Sequence, residues 1–274
     1  MKITKVEVRA VAPPVDRFTW SDDLPDQYST NTIVVIHTDE GVEGVAGVWN
    51  ATSFDFERYT AESIRHLAPL LLGKDPLLRE SIWHEIRPRV FPLPPQSLAA
   101  IDIALWDLAG KVAGLPLYQL LGGARDRIPA YASTPLFEDV DSYLNNAEEF
   151  IARGFKAIKF HTWCIPELDL ELARAVRKKY PGNDVAFMLD AENNYDRDGA
   201  MRVARELEAM AFTWFEAPLH DSDLEGYREL TSRVEIPIIP SGNWVQDLHT
   251  FAAALQTKAW GRARTDVAMM GGIT

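Results

Sequence analysis

The chain has 274 residues, 47% of them hydrophobic, which is enough to bury one large core or two smaller ones. Its 40 acidic residues exceed its 28 basic ones, for a formal net charge of −12, and no basic stripe of the kind that phosphate backbones require interrupts them, so nucleic acid is excluded as an expected partner. No apolar run reaches the ~20 residues of a membrane span, and the start MKITKVEVRA lacks a signal-peptide apolar core; with a single cysteine, Cys164, ruling out an intrachain disulfide, the expected location is cytoplasmic.

The first element alternates, Val6 and Val8 against Lys5, Glu7 and Arg9, as a half-exposed strand does. A second strand over Thr32 to Thr38 turns at Asp39-Glu40-Gly41 into a third over Val42 to Trp49, giving an antiparallel meander. Helical spacing follows over 56–72 and 76–87, and a proline cluster then precedes a long helix over Leu98 to Val112 that stops at Gly114 and Pro116. Two aromatic loops, 15–30 with Trp20 and Trp49 to Phe54, are candidates for shaping a pocket.

After Gly122-Gly123 short apolar strands alternate with amphipathic helices. Strands are expected near 128–134, 157–162, 186–191, 213–217, 236–241 and 265–270, with helices near 138–153, 167–180, 197–210, 223–232 and 246–257. The expected fold is therefore an α+β domain over 1–122 and an incomplete (β/α) barrel over 123–274 with about six strands, against eight in a closed barrel.

Ionisable residues recur in this region at intervals of about 25 to 30 residues, the length of one βα unit. They are Lys159 with His161, Asp190, Glu216 and, two steps on, Asp266. Parallel strands joined by crossover helices bring all their C-terminal ends to one face, so the residues converge there. Lys159 and His161 share a side of their strand, and two nitrogen bases so placed can move a proton on one face of a ligand. Asp190 and Glu216 each close an apolar strand, and adjacent strands are only ~5 Å apart, which suits a hard divalent cation. Taken singly, each carboxylate could instead cap a helix or face solvent. Glu192, two residues past Asp190, faces the same side if the strand continues.

These segments, in this order, resemble the mandelate racemase/muconate lactonizing branch of the enolase superfamily. The resemblance rests on the N-terminal strand, Thr38-Asp39-Glu40-Gly41, and the helix Ala100-Ile101-Asp102-Ile103-Ala104-Leu105-Trp106-Asp107-Leu108-Ala109-Gly110-Lys111 running to Leu120-Leu121-Gly122-Gly123. It continues through Gly154-Phe155, Lys159-x-His161, Asp190, Phe215-Glu216-x-Pro218, and Asp266 with Gly271-Gly272-Ile273-Thr274. It implies an α+β capping domain and a TIM-like (β/α)7β barrel that binds Mg2+. The implied chemistry is abstraction of a proton α to a carboxylate with stabilisation of the enediolate. Asp190 and Glu216 match two metal ligands, Lys159 and His161 the Lys-x-Lys pair that supplies a base, and Asp266 the aspartate that orients a histidine base on the other face.

Three departures accompany the resemblance. Gly242 falls where the third metal ligand belongs, leaving Glu192, Asn243 or water to complete the coordination and weakening the expected Mg2+ site. Histidine at 161 lowers the unperturbed base pKa from about 10.4 to about 6.5. The chain stops after the sixth expected strand, so the histidine that would pair with Asp266 and the acidic residue expected on the last strand are not in it, and a fragment of a longer barrel is one open reading. The leading expectation is a lyase, an aldonate or aldarate dehydratase acting on a small acid sugar. A hydroxy-acid racemase or epimerase and a non-catalytic carboxylate binder remain open, and a homo-oligomer is expected.

Overall fold

The computed structural model describes residues 1–12, 28–52 and 58–274; Trp20 and Phe54 of the two expected pocket loops lie outside the described residues. The chain forms two compact units, one holding the described residues up to Ile128 together with Asp266–Thr274, the other holding Pro129–Thr265.

In the first unit β1 (Ile3–Val11), β2 (Tyr28–Thr38) and β3 (Glu43–Thr52) make an antiparallel sheet in sequential order. The alternation is clean on β2, where Thr32, Val34 and Ile36 are buried between half-buried neighbours. Three helices follow: α1 (Tyr59–Leu67), α2 (Arg79–Ile86) and the long α3 (Pro95–Ala113). Pro95 sits at the first helical position, where its missing N–H costs nothing, and Gly114 ends α3 in the left-handed conformation at φ 64° before the short α4 (Leu117–Leu120). Helix α3 lies directly on β3. A Cβ on Gly44 would stand 2.1 Å from the carbonyl oxygen of Ala104, so only glycine permits this approach. The core between sheet and helices includes Val34, Ile36, Ile64, Leu67, Ile101 and Leu105.

The second unit alternates strand and helix: β4 (Ala132–Ser133), α5 (Val140–Ala152), β5 (Ala157–His161), α6 (Pro166–Lys179), β6 (Ala186–Asp190), α7 (Arg197–Ala209), β7 (Trp214–Glu216), α8 (Leu224–Thr231), β8 (Ile238–Ile239) and α9 (Leu248–Gln256). The strands form one parallel sheet in the order β4-β5-β6-β7-β8, the arc of an incomplete TIM barrel. Aspartates start four of the helices: Asp139, Asp196, Asp223 and Asp247 each accept a backbone N–H of the first turn of α5, α7, α8 and α9 respectively. One face of the strands carries the apolar load. Phe160 stacks on Phe187 with centroids 6.0 Å apart, and Tyr180 and Phe212 pack against Phe187.

The strand expected over 265–270 does not form, so the described residues hold five parallel strands. Asp266 Oδ1 accepts the N–H of Ala268 at 2.7 Å, and its carbonyl accepts those of Met269 and Met270. A side chain that bonds its own following backbone offers the chain a turn in place of a ladder. The segment that follows belongs to the first unit, where Asp102 of α3 accepts the N–H groups of Ile273 at 2.6 Å and Thr274 at 2.9 Å.

Candidate active site

The parallel register sets the site. His161 at the end of β5 is paired with Asp190 at the end of β6, which is paired with Glu216 at the end of β7. Period-2 alternation turns all three, with Lys159, to the face opposite Phe160 and Phe187. All four are buried, between 2% and 8% exposed, at a strand terminus where most chains keep charge in water.

Burial on this scale requires pairing, and the contacts supply it. Lys159 Nζ donates to Asp190 Oδ2 at 2.6 Å and to Glu216 Oε1 at 3.0 Å. Its ammonium thus bridges the two carboxylates that the sequence marks as a cation-holding pair. Burial works against the charge on Lys159, but Asp190 and Glu216 outweigh it and raise its pKa above the ordinary lysine value. Burial also opposes ionisation of Asp190, yet Lys159 and His161 hold it well below the usual carboxylate range. Glu216 moves the other way: burial and the neighbouring Asp190 push it up, against the pull of Lys159 and Arg264.

His161 is held from both sides of its ring. Nδ1 lies 2.8 Å from the carbonyl oxygen of Thr134, an acceptor only, so that nitrogen carries a proton. Nε2 then faces Glu192 Oε1 at 3.1 Å and Asp190 Oδ2 at 3.4 Å. Burial pulls the imidazole pKa down, but the hydrogen bonds of Asp190 and Glu192 push it up to about 9. His161 is therefore a proton donor at neutral pH while both carboxylates face it. Glu192 reaches the site differently from the sequence expectation: β6 ends at Asp190, and Glu192 turns back through a left-handed backbone at φ 48°.

Among the described residues, His161, Asp190 and Glu192 bring potential metal-ligand atoms within 4.8 Å of one another. Asn243 is not part of that group; its side chain is exposed. Gly242 is buried at φ 72°, and a Cβ there would lie 2.5 Å from the carbonyl oxygen of Arg264. Asp266 is exposed in its turn, in the other unit.

Three residues join the site without a local signal in the sequence. Arg264 Nη1 forms an ion pair with Glu216 Oε1. Trp214 Nε1 donates to Glu216 Oε2 at 3.2 Å, and Tyr131 packs edge-on against Trp214 with Lys159 Nζ 5.9 Å from its ring centroid. Asp221, 1% exposed, accepts from Ser241 N at 2.9 Å and Ser241 Oγ at 2.7 Å, which fixes the loop after β8 that carries Gly242. Cys164 is buried, with Sγ 3.5 Å from the carbonyl oxygen of Thr162.

Residues 6–122 match the family model for the mandelate racemase / muconate lactonizing enzyme N-terminal domain, and residues 142–274 match that for the enolase C-terminal domain-like fold. Arabinonate dehydratase of Saccharolobus solfataricus is 29% identical over 248 residues, covering 87% of this chain and 65% of its own length. N-succinyl-L-Arg/Lys racemase of Bacillus cereus is 28% identical over 250 residues, again 87% and 65%. D-galactarolactone cycloisomerase of Agrobacterium fabrum is 30% identical over 254 residues, 89% and 66%. The chain thus spans about two thirds of the length of these curated relatives, which are sugar-acid dehydratases, cycloisomerases and racemases. A solved structure from Pseudovibrio sp., described as a mandelate racemase/muconate lactonizing enzyme, superimposes with a TM-score of 0.94 at 36% identity over 99% of this chain and 72% of its own. D-glucarate dehydratase from Agrobacterium tumefaciens, solved with magnesium, gives 0.83 at 30% identity over 99% and 74%.

Proposed function

The chain belongs to the mandelate racemase/muconate lactonizing enzyme family of the enolase superfamily, and we propose that it removes the proton α to the carboxylate of a small acid sugar and expels a β-hydroxyl as water. The observation that carries this reading is the single polar cluster at the ends of β5, β6 and β7, where an imidazole, an ammonium and paired carboxylates share one buried face.

The donor chemistry fits a hard cation at Asp190 and Glu216, because two buried carboxylates already take a cation between them, the ammonium of Lys159. Those two residues would hold Mg2+, with Glu192 the acidic neighbour of Asp190, and the bound ion would supply Lewis-acid stabilisation of the enediolate. His161 moves the proton at Nε2. The Thr134 carbonyl fixes its ring so that this atom, and not Nδ1, meets the reacting carbon or leaving oxygen. As the imidazolium it donates to a departing hydroxyl; as the neutral imidazole, reached when Asp190 and Glu192 are engaged elsewhere, it accepts the α-proton. Lys159 orients both carboxylates and offsets their negative charge, which would otherwise repel an anionic ligand.

The test is incubation with aldonic and aldaric acids and Mg2+ in D2O, following 2-keto acid and deuterium at the α-carbon. Keto acid formation that His161→Gln abolishes is expected. Deuterium uptake without keto acid would instead identify a racemase or epimerase, and neither product from any acid would overturn the catalytic reading.

A second reading, a carboxylate-binding homologue without turnover, is favoured by Gly242 in the third-ligand slot. It predicts that an acid sugar raises the melting temperature while its α-proton never exchanges.

A further inference from the structure

We propose that Arg264 is the resident counter-cation of this site, holding the Glu216 carboxylate that a divalent cation needs, so that Mg2+ enters only by displacing it. The inference rests on the reading of Asp190 and Glu216 as the cation-holding pair.

The contact is specific. Arg264 Nη1 closes on Glu216 Oε1, the same oxygen that accepts from Lys159 Nζ at 3.0 Å. Glu216 is 2% exposed, whereas 44% of the Arg264 side chain is accessible. The guanidinium therefore reaches a buried carboxylate from the solvent side and can leave without repacking a core. With Lys159 and Arg264 in place, the negative charges of Asp190 and Glu216 are matched one for one. A dication added to that balanced set meets two cations at close range, and like charges disfavour each other steeply where water is scarce.

Gly242 belongs to the same arrangement. A Cβ at this position would lie 2.5 Å from the Arg264 carbonyl oxygen and 2.9 Å from its carbonyl carbon, and its φ of 72° already suits glycine. The Arg264 backbone thus fills the space in which a side chain at position 242 would begin. One placement of this residue both leaves no room for a side-chain carboxylate at position 242 and sets a cation on the second ligand. The two departures from a three-carboxylate site are a single structural event.

Calorimetric titration of Mg2+ into the whole chain tests this, comparing the wild type with Arg264→Gln, Arg264→Met and Arg264→Lys. Loss of the charge should tighten Mg2+ at least about tenfold in the first two variants, while Arg264→Lys stays near the wild type, and Asp190→Asn should abolish binding in every background. Circular dichroism checks each fold, and Arg264→Met stands in if Arg264→Gln does not fold. Equal or weaker Mg2+ binding in the neutral variants, or no binding in any protein, overturns the proposal. Exchange of an α-proton in D2O is read separately. Tightened Mg2+ without exchange upholds the role of Arg264 and overturns the catalytic reading, whereas exchange with unchanged Mg2+ affinity does the reverse.

Discussion

His161 Nε2 lies 3.1 Å from Oε1 of Glu192, a residue that reaches the site through a left-handed turn rather than along its strand. With Asp190 it lifts the imidazole to about 9 against the effect of burial. A histidine whose folded pKa is raised stabilises the fold fully below its unfolded value near 6.5, and that contribution disappears as pH climbs through the folded value. Without divalent cations, unfolding free energy should therefore fall between about pH 6.5 and 9, by up to roughly 3 kcal/mol. Glu192→Gln should flatten the fall. Urea midpoints across this range in EDTA check it, and an unchanged slope in the variant would remove Glu192 from the account.

Lys159 is the bond between two carboxylates that would otherwise face each other in the protein interior. Replacing it with Met keeps most of the volume and removes the charge, leaving Asp190 and Glu216, each 2% exposed, with less compensation. Breaking a buried pair of this kind costs on the order of 3–5 kcal/mol. Lys159→Met should be destabilised by that order in EDTA and should regain more stability from Mg2+ than the wild type does. Parallel urea titrations with and without Mg2+ measure both effects. A variant as stable as the wild type would mean that Arg264 and water suffice.

The β/α rhythm was legible because each strand from β5 to β7 is a short apolar run closing on an ionisable residue, and parallel register then aligns His161, Asp190 and Glu216 directly. Local pattern and tertiary geometry coincide there. They part at Asp266, where apolar neighbours suggested a strand but the aspartate bonds the backbone two residues ahead. They part again at Arg264, one of two arginines in Gly261-Arg262-Ala263-Arg264, whose partner, Glu216, is remote in sequence. The acceptor that fixes the His161 ring is a backbone carbonyl, at Thr134, and no side-chain pattern can reveal it.

Gly44 carries the closest approach in the first unit. An added Cβ would meet the Ala104 carbonyl oxygen at 2.1 Å and the Leu108 Cβ at 2.8 Å, both on α3. A backbone carbonyl within a helix cannot move aside as a flexible side chain can, so Gly44→Ala should cost at least the ~1–3 kcal/mol typical of overpacking. Gly47 lies on the same strand, but nothing stands within 4 Å of its added Cβ. Gly47→Ala is therefore the matched control and should be near neutral. Urea unfolding of the two variants decides it; equal losses would show that something other than the contact with α3 selects glycine at position 44.

Asp102, 1% exposed on α3, gathers Ile273 and Thr274 onto that helix. Its Oδ2 accepts from Ile273 N at 2.6 Å and Thr274 N at 2.9 Å, and its Oδ1 from Thr274 Oγ1 at 2.5 Å. Burial raises its carboxyl pKa, and these three donors pull it back. Removing the acceptor leaves the donors to find water, at about 1–3 kcal/mol for each that stays buried. Asp102→Ala should lose stability on that scale and open the amides of residues 271–274 to hydrogen exchange. Asp102→Asn, which keeps one acceptor oxygen, should lose less. The approach is close enough that a Cβ on Gly272, at φ 115°, would lie 2.3 Å from Asp102 Oδ2, so Gly272→Ala should release the same segment while leaving the carboxylate in place. If those amides exchange freely in Asp102→Ala but stay protected in Gly272→Ala, charge and not fit holds the segment to α3.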